Sequence, residues 1–493
     1  MSATPLYLDY AATTPADPAV VAVMNECLGA HATFGNASSA HAYGEAAAAR
    51  VAVARAQVAR LIGADPGEIV FTSGATESDN LAILGCAGAA LERGRHLVTM
   101  RTEHKAVLDP CRHLERRGAQ VTYLAPDADG RLSPEELSRA LRPDTVLVSI
   151  MYANNETGVL QDLAALGAVC RAHGVPLHSD CAQAAGRIRL DVRTLPVDFL
   201  SLTAHKLYGP KGIGALYVRS GARARVQPVA YGGGQERGLR PGTLPVHQIA
   251  GFGAACELAQ QALGSEGGRL EALTERLWEG LAPLGELHRN GARAPRVPGI
   301  LNVSFGGVEG ESLVGALGTL AVSTGAACNS EARDPSYVLR ALGRDARLAE
   351  SSLRFSLGRY TTPGEIDQAV EAVTRAVRTL RALSPAAAPP GLETGPGRRL
   401  AGEAGSQDEG TWVRFHLWVD ERHVKDARFQ AFACPHTVDT AAWLCERLRG
   451  RSRGELGVGT PAEWAQARRV PVEKLGRLLV VEDALNACIT HWG

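Results

Sequence analysis

The chain is 493 residues long, 45% hydrophobic and 21% charged, which leaves room for roughly two to four globular domains with ample core. Lys plus Arg and Asp plus Glu are equal at 52 each, so no net field exists to draw in nucleic acid or an anionic membrane. No apolar stretch is clean enough to span a bilayer, Met1–Pro5 has no signal-peptide character, and ten cysteines show no Cys-x-x-Cys pair. These features predict a cytoplasmic protein with reduced thiols, and neither a disulfide framework nor a zinc site.

In chain order, Leu6-Tyr7-Leu8 reads as a short strand entering a turn that reaches Pro15. The small-residue loop Gly35–His41 precedes an alanine-rich helix to about Gly63. Glu68–Thr72 is a strand broken by Ser73-Gly74, after which Ala75–Asn80 opens a helix with small and acidic residues in its first turn. A strand–helix alternation follows, with strands at His96–Met100, Val121–Leu124, Thr145–Met151, Val175–His178, Phe199–Leu202 and Gly214–Val218. The clearest helix between them is Gln161–His173. This α/β pattern predicts a mostly parallel sheet covered on both faces, with ligands beyond the carboxyl ends of its strands.

The glycine-rich stretch Tyr231–Gly238 leads to Arg240-Pro241-Gly242-Thr243 and a long helical region. A smaller domain would hold the strands Gly299–Phe305 and Ser352–Leu357, with the loop Ser323–Ser336 between them. The predicted division is 1–383, with a large domain over about 15–260 and a small one built from the N-terminal segment and about 261–383. Residues 384–410, rich in Pro, Gly and Ala without apolar periodicity, read as a linker to a module at 411–493.

The chemistry centres on Lys206, in Thr203-Ala204-His205-Lys206, where an apolar strand ends in polar groups before the breakers Gly209, Pro210 and Gly212. A half-buried lysine can shed its proton and form a Schiff base with an aldehyde cofactor. Alone, such a pair is usually a surface turn. Its company reverses that reading. His104, after one strand, can stack on an aromatic ring and pass protons. Asp180, after another, can keep a heterocyclic nitrogen protonated, which an electron-sink cofactor requires. Asn155 and Gln183 can donate to a phenolic oxygen. Gly74, Ala75 and Thr76 at a helix start, with Thr203 and His205, can cradle a phosphate. Together they predict a pyridoxal-phosphate site.

A second centre is Cys328, among Gly, Ala, Ser and Asn, a setting with no apolar wall to bury a thiol. It reads as an exposed nucleophile. Arg354 punctuates a buried-looking strand, and its fork suits a substrate α-carboxylate.

These motifs, with Asn154-Asn155-Glu156-Thr157-Gly158, Asp180-Cys181-Ala182-Gln183 and Ala204–Gly212, make residues 5 to about 383 resemble a cysteine desulfurase of the housekeeping iron–sulfur assembly type. The resemblance implies a fold-type-I pyridoxal enzyme of the class-V aminotransferase group, working as a homodimer in which Thr243 reaches the partner copy's phosphate. It implies L-cysteine as substrate, held by Arg354 and Asn155, with alanine and a Cys328 persulfide as products. An iron–sulfur scaffold or a tRNA-thiolation relay would accept the sulfur, and Cys328 would make at most transient iron–sulfur contact. Selenocysteine lyase or a sulfur-relay platform are the alternatives.

The C-terminal module, a small α+β unit, is similar over roughly 80 residues to the small scaffold protein on which iron–sulfur clusters are built. Cys434 alone matches a scaffold ligand. Ala433 and Pro435 replace the expected glycines, Gly476-Arg477 stands where His-Cys is expected, and no middle cysteine lies between Gly450 and Val470. One thiol cannot hold a cluster. The expectation is a degenerate module that takes sulfur at Cys434 or only docks, with Cys445 and Cys488 as core residues and no metal site.

Overall fold

A computed structural model describes residues 4–90, 94–324, 335–385 and 394–492. Strand β1 (Leu6–Tyr7) leads the chain. The central sheet follows as β2 (Ile69–Thr72), β3 (His96–Met100), β4 (Gln120–Leu124), β5 (Thr145–Ser149), β6 (Leu177–Asp180), β7 (Phe199–Thr203) and β8 (Gly214–Val218). Its order is β2-β8-β7-β6-β5-β3-β4. Pairs among β7, β6, β5, β3 and β4 are parallel, whereas β8 runs antiparallel to both β7 and β2. Strands β2, β3, β6, β7 and β8 are buried along their whole length, as expected of a sheet with helices on both faces.

One face packs the Ala42–Ile62 and Val246–Ala262 helices over Phe71, Leu200 and Tyr217. The other carries Ala75–Ala89 and Lys105–Arg116 over Val70, Leu97 and Phe199. Each fully buried Leu or Phe contributes about 1.5–3 kcal/mol to holding these layers.

The small domain comprises β9 (Leu287–Arg289), β10 (Ile300–Phe305), β11 (Leu320–Ala321) and β12 (Ser352–Ser356). β10 lies between β12 and β9, antiparallel to both, and β11 pairs in parallel with β1. The helices Glu266–Leu281 and Pro363–Leu383 supply its core, the second opening on a Thr362–Glu365 capping box. Tyr10 N donates to Ser356 O at 3.2 Å and Thr14 N to His205 O at 2.9 Å, so the N-terminal segment ties β12 to the Lys206 turn.

The C-terminal module is an antiparallel sheet of β13 (Arg398–Ser406), β14 (Thr411–Val419) and β15 (Val424–Phe432), with helices Pro435–Leu448, Pro461–Arg468 and Leu475–Thr490. Strand β13 corrects the expected linker, which ran to residue 410. The strand lacks an apolar alternation because a glycine stands where the helix lies directly on it: a Cβ on Gly402 would meet Cys488 N at 2.1 Å.

The module is seated on the small domain. Lys474, 2% exposed, places Nζ on both carboxylate oxygens of Glu311, at 2.6 and 2.5 Å. Ser312 Oγ donates to Ala433 O at 2.7 Å, and Gln430 Nε2 to Ser384 O at 3.2 Å. Among the described residues no helix is long and apolar enough to cross a membrane. The nine described cysteines are all buried and unbridged.

Candidate active site

A cavity of about 530 Å³ opens at the carboxyl ends of the parallel strands, where they face the small domain. It gathers ten of the residues singled out in the sequence: Ala75, Thr76, His104, Asn155, Asp180, Gln183, Thr203, His205, Lys206 and Arg354. Nine come from the large domain. Ala75 and Thr76 begin the Ala75–Ala89 helix after β2, His104 caps the Lys105–Arg116 helix after β3, and Asn155 follows β5. Asp180 ends β6, Thr203 ends β7, and His205 and Lys206 lie in the single 3₁₀ turn Ala204–Lys206. Arg354 comes across from β12.

Local chemistry explains the placement. Gly74 holds φ at 156° where the chain turns from β2 into its helix, a region that disfavours side chains. Gly214 stands so close that a Cβ there would sit 2.6 Å from Gly74 Cα. The open helix start thus faces Thr203, with backbone N–H groups and the positive dipole end available to an anion. Glu77 fixes this loop by accepting from Ser73 N at 2.5 Å and Arg240 Nε at 2.9 Å. Burial works to raise its carboxyl, yet Arg240 and Ser73 hold it below the usual range.

His104 accepts from Ala106 N at 3.2 Å, which leaves Nε2 to carry the proton of the neutral ring. Burial pushes its pKa down, against the opposing pull of Asp180. His205 shares a hydrogen with Thr13 Oγ1 at 3.1 Å and is lowered to about 4, by burial first and then by Lys206 and Lys211. Both imidazoles are neutral at physiological pH and act as hydrogen-bonding groups. Asp180 accepts from Ala182 N at 2.8 Å, which leaves a second carboxylate oxygen for the cavity.

Several buried polar atoms of cavity-lining side chains have no hydrogen-bond partner: Asn155 Oδ1, Gln183 Oε1 and Arg354 Nε, whereas Asp79 Oδ1 lies 3.5 Å from His178 Nε2. Buried polar atoms ordinarily find partners, so this cluster marks a site shaped for a polar ligand. A helix start with a hydroxyl, a carboxylate, an imidazole and a lysine in one cavity suit the phosphate, ring nitrogen, ring face and aldehyde of pyridoxal phosphate.

The remaining predicted residues lie elsewhere. Thr243 is exposed and does not line this chain's cavity. Cys328 lies outside the described residues. Cys434 is apart from the cavity, fully buried at the start of the Pro435–Leu448 helix, its sulfur 3.3 Å from Thr437 Oγ1.

Four acids escaped the sequence reading. Asp79 lines the cavity one helical turn beyond Ala75, and the shared face of residues four apart was the available signal. Burial raises its pKa well above the carboxylate range, with Asp180 adding to the rise. Glu103, beside His104, is fully buried and accepts from Met151 N with both oxygens at 2.9 Å. Glu156 accepts from Ser336 Oγ at 2.5 Å. Asp9 pairs with Arg354 Nη2 at 2.7 Å.

The profile described as Aminotransferase class-V matches residues 6–369, which stops short of the C-terminal module. The cysteine desulfurase IscS of Cronobacter sakazakii is 56% identical over 382 residues, covering 77% of this chain and 95% of that protein. Its namesake from Escherichia coli is 54% identical over the same 382 residues. Among solved structures, a NifS-like protein superposes with a TM-score of 0.71 at 35% identity, covering 76% of this chain and all of that one. A structure titled SspA in complex with cysteine gives 0.65 at 39% identity, covering 72% of this chain and 99% of that one.

Proposed function

The chain belongs to the cysteine desulfurase family, within the class-V aminotransferases, and from that premise we propose that its cavity takes sulfur from L-cysteine, leaving L-alanine and a persulfide on Cys328. The observation that carries this reading is the meeting of Lys206, Asp180 and His104 with Arg354 in one cavity. Pyridoxal phosphate, when bound, supplies an aldehyde that captures amines and a ring that spreads negative charge from the α-carbon.

The chain's own residues do the rest. Lys206 would hold the cofactor's aldehyde, and its amine would move the α-proton. Asp180 would keep the ring nitrogen protonated, and His104 would supply an imidazole face to the ring and pass protons. Ala75, Thr76, Thr203 and His205 receive the phosphate, Thr243 adding to it from a second copy in a homodimer. Asn155 and Gln183 meet the phenolic oxygen. Arg354, with Asn155, orients the α-carboxylate. The Cys328 thiolate attacks the substrate sulfur: an S–S bond forms, the C–S bond breaks, and its electron pair stays with the carbon that becomes the methyl group of alanine. Thiol plus cysteine gives persulfide plus alanine, so the step balances without an outside oxidant.

The persulfide sulfur supplies iron–sulfur assembly or tRNA thiolation. We read the C-terminal module as a degenerate iron–sulfur scaffold that stays docked on the desulfurase. Its Cys434 lies next to the Ala433–Ser312 contact and is the candidate acceptor within the chain. Cytoplasmic residence fits this reading. Quantifying L-alanine and sulfide from L-cysteine in the presence of a thiol reductant, which reduces the persulfide and frees its outer sulfur, with and without the Lys206→Ala substitution, tests it. Equal yields that vanish in the variant support it, and alanine from Lys206→Ala overturns it.

A further inference from the structure

The arginine that meets the cavity is already engaged by a carboxylate of its own chain. Arg354, 5% exposed, donates through Nη1 to Asn155 O at 2.8 Å and through Nη2 to Asp9 Oδ1 at 2.7 Å. Its Nε is buried without a hydrogen-bond partner. The other oxygen of Asp9 accepts from Ser323 Oγ at 3.1 Å. Ser323 in turn brackets Arg354 through backbone hydrogen bonds of 3.3 and 2.7 Å. Arg354 and Ser323 line the cavity, whereas Asp9 does not. Asp9 therefore reaches the guanidinium from outside the space a substrate would fill.

We propose that Asp9 is a resident competitor for Arg354 that sets how tightly the site holds an amino acid's α-carboxylate. A guanidinium offers five N–H groups, and one on each terminal nitrogen is already taken. A substrate carboxylate must share a cation that one anion has neutralised, and two carboxylates on one guanidinium repel. The consequence is kinetic. L-cysteine and L-alanine carry the same carboxylate, so a fully available arginine would grip substrate and product alike. Uniform grip lowers KM without speeding the chemistry and delays product release. Asp9 keeps that grip loose.

This inference rests on Arg354 as the carboxylate site, and the test separates the two claims. Asp9→Asn keeps an acceptor for Arg354 and offers an amide to Ser323, but removes the charge. In the cofactor-loaded full chain its KM for L-cysteine falls about tenfold, the weight of one charge-assisted hydrogen bond. Inhibition by L-alanine and by propionate, which has the carboxylate alone, tightens equally. Inhibition by cysteamine, which lacks the carboxylate, stays at the parental value, and kcat does not rise. A structural lesion would not tighten binding of carboxylates selectively. An unchanged or raised KM, or a cysteamine shift of equal size, overturns the role of Asp9. Arg354→Ala reads the premise: if L-cysteine is still favoured over cysteamine, Arg354 is not the carboxylate site. If that preference is lost while Asp9→Asn changes nothing, the competitor role alone fails.

Discussion

Ser336 Oγ donates to Glu156 Oε2 at 2.5 Å, joining the first described residues after 334 to the loop that carries Asn155. Beside it, Tyr337 Oη donates to Glu103 O at 2.7 Å, next to His104. On the other flank, Ser323 Oγ donates to Asp9, the partner of Arg354. The chain on either side of residues 325–334 is thus tied to residues that adjoin or pair with the cavity-lining Asn155, His104 and Arg354.

Glu156 makes stability depend on pH. Burial pushes its pKa up to about 7, despite the hydrogen bond from Ser336 and the charge of Arg354. The unfolded carboxyl loses its proton near the ordinary value, the folded one near 7. Between those values only the folded chain keeps the proton, so stability falls as pH rises through this window. By pH 8 the cost is on the order of 3 kcal/mol. Glu156→Gln keeps the hydrogen bond and removes the titration. Urea midpoints at pH 5.5 and pH 8 should show the variant gaining on the parent as pH rises. A constant difference would contradict the assignment.

The two reactive side chains separate two stages. Lys206→Ala should neither retain cofactor after borohydride reduction nor form alanine. Cys328→Ser should retain the cofactor covalently on reduction, yet release no sulfide. Sulfide release at the parental rate from Cys328→Ser would remove that thiol from the mechanism.

The module's seat depends on a buried ammonium. Glu311→Gln leaves Lys474 facing an uncharged partner at a buried position, at a cost of about 3 kcal/mol. Protease should then cut the 384–397 region faster, with the desulfurase domain left intact. Replacing both residues by apolar ones of similar size should restore much of the protection. Unchanged cleavage in Glu311→Gln would mean the pair contributes little to docking.

Gly402 tests why β13 was hidden. A Cβ would overlap the backbone of the Leu475–Thr490 helix, so Gly402→Ala should destabilise the module by about 2 kcal/mol. Hydrogen exchange should rise in β13 and β14 and stay unchanged in the central sheet. Uniform exchange across both would contradict a local clash.

Much of the large domain was readable from the sequence because its strands are apolar runs with breakers at their carboxyl ends. His96–Met100 and Gly214–Val218 match the expected strands residue for residue. Lys206, Asp180 and His104 were found because each follows such a run. Asp9 and Glu103 were not, since an acid's pairing with a residue remote in sequence leaves no local pattern, and Asp79 left only the helix face it shares with Ala75. Strand β13 was missed for the opposite reason: its inward position holds glycine, and periodicity registers side chains. The antiparallel course of β8 was likewise invisible, because a buried strand reads the same in either direction.

The central claim is that sulfur passes from L-cysteine to Cys328. The most direct measurement mixes the cofactor-loaded chain with one equivalent of L-cysteine, blocks thiols by alkylation, digests the protein and weighs the Cys328 peptide. The account predicts one added sulfur atom on that peptide, an equal amount of L-alanine, and neither in Lys206→Ala. Alanine formed while the Cys328 peptide stays unmodified would contradict it.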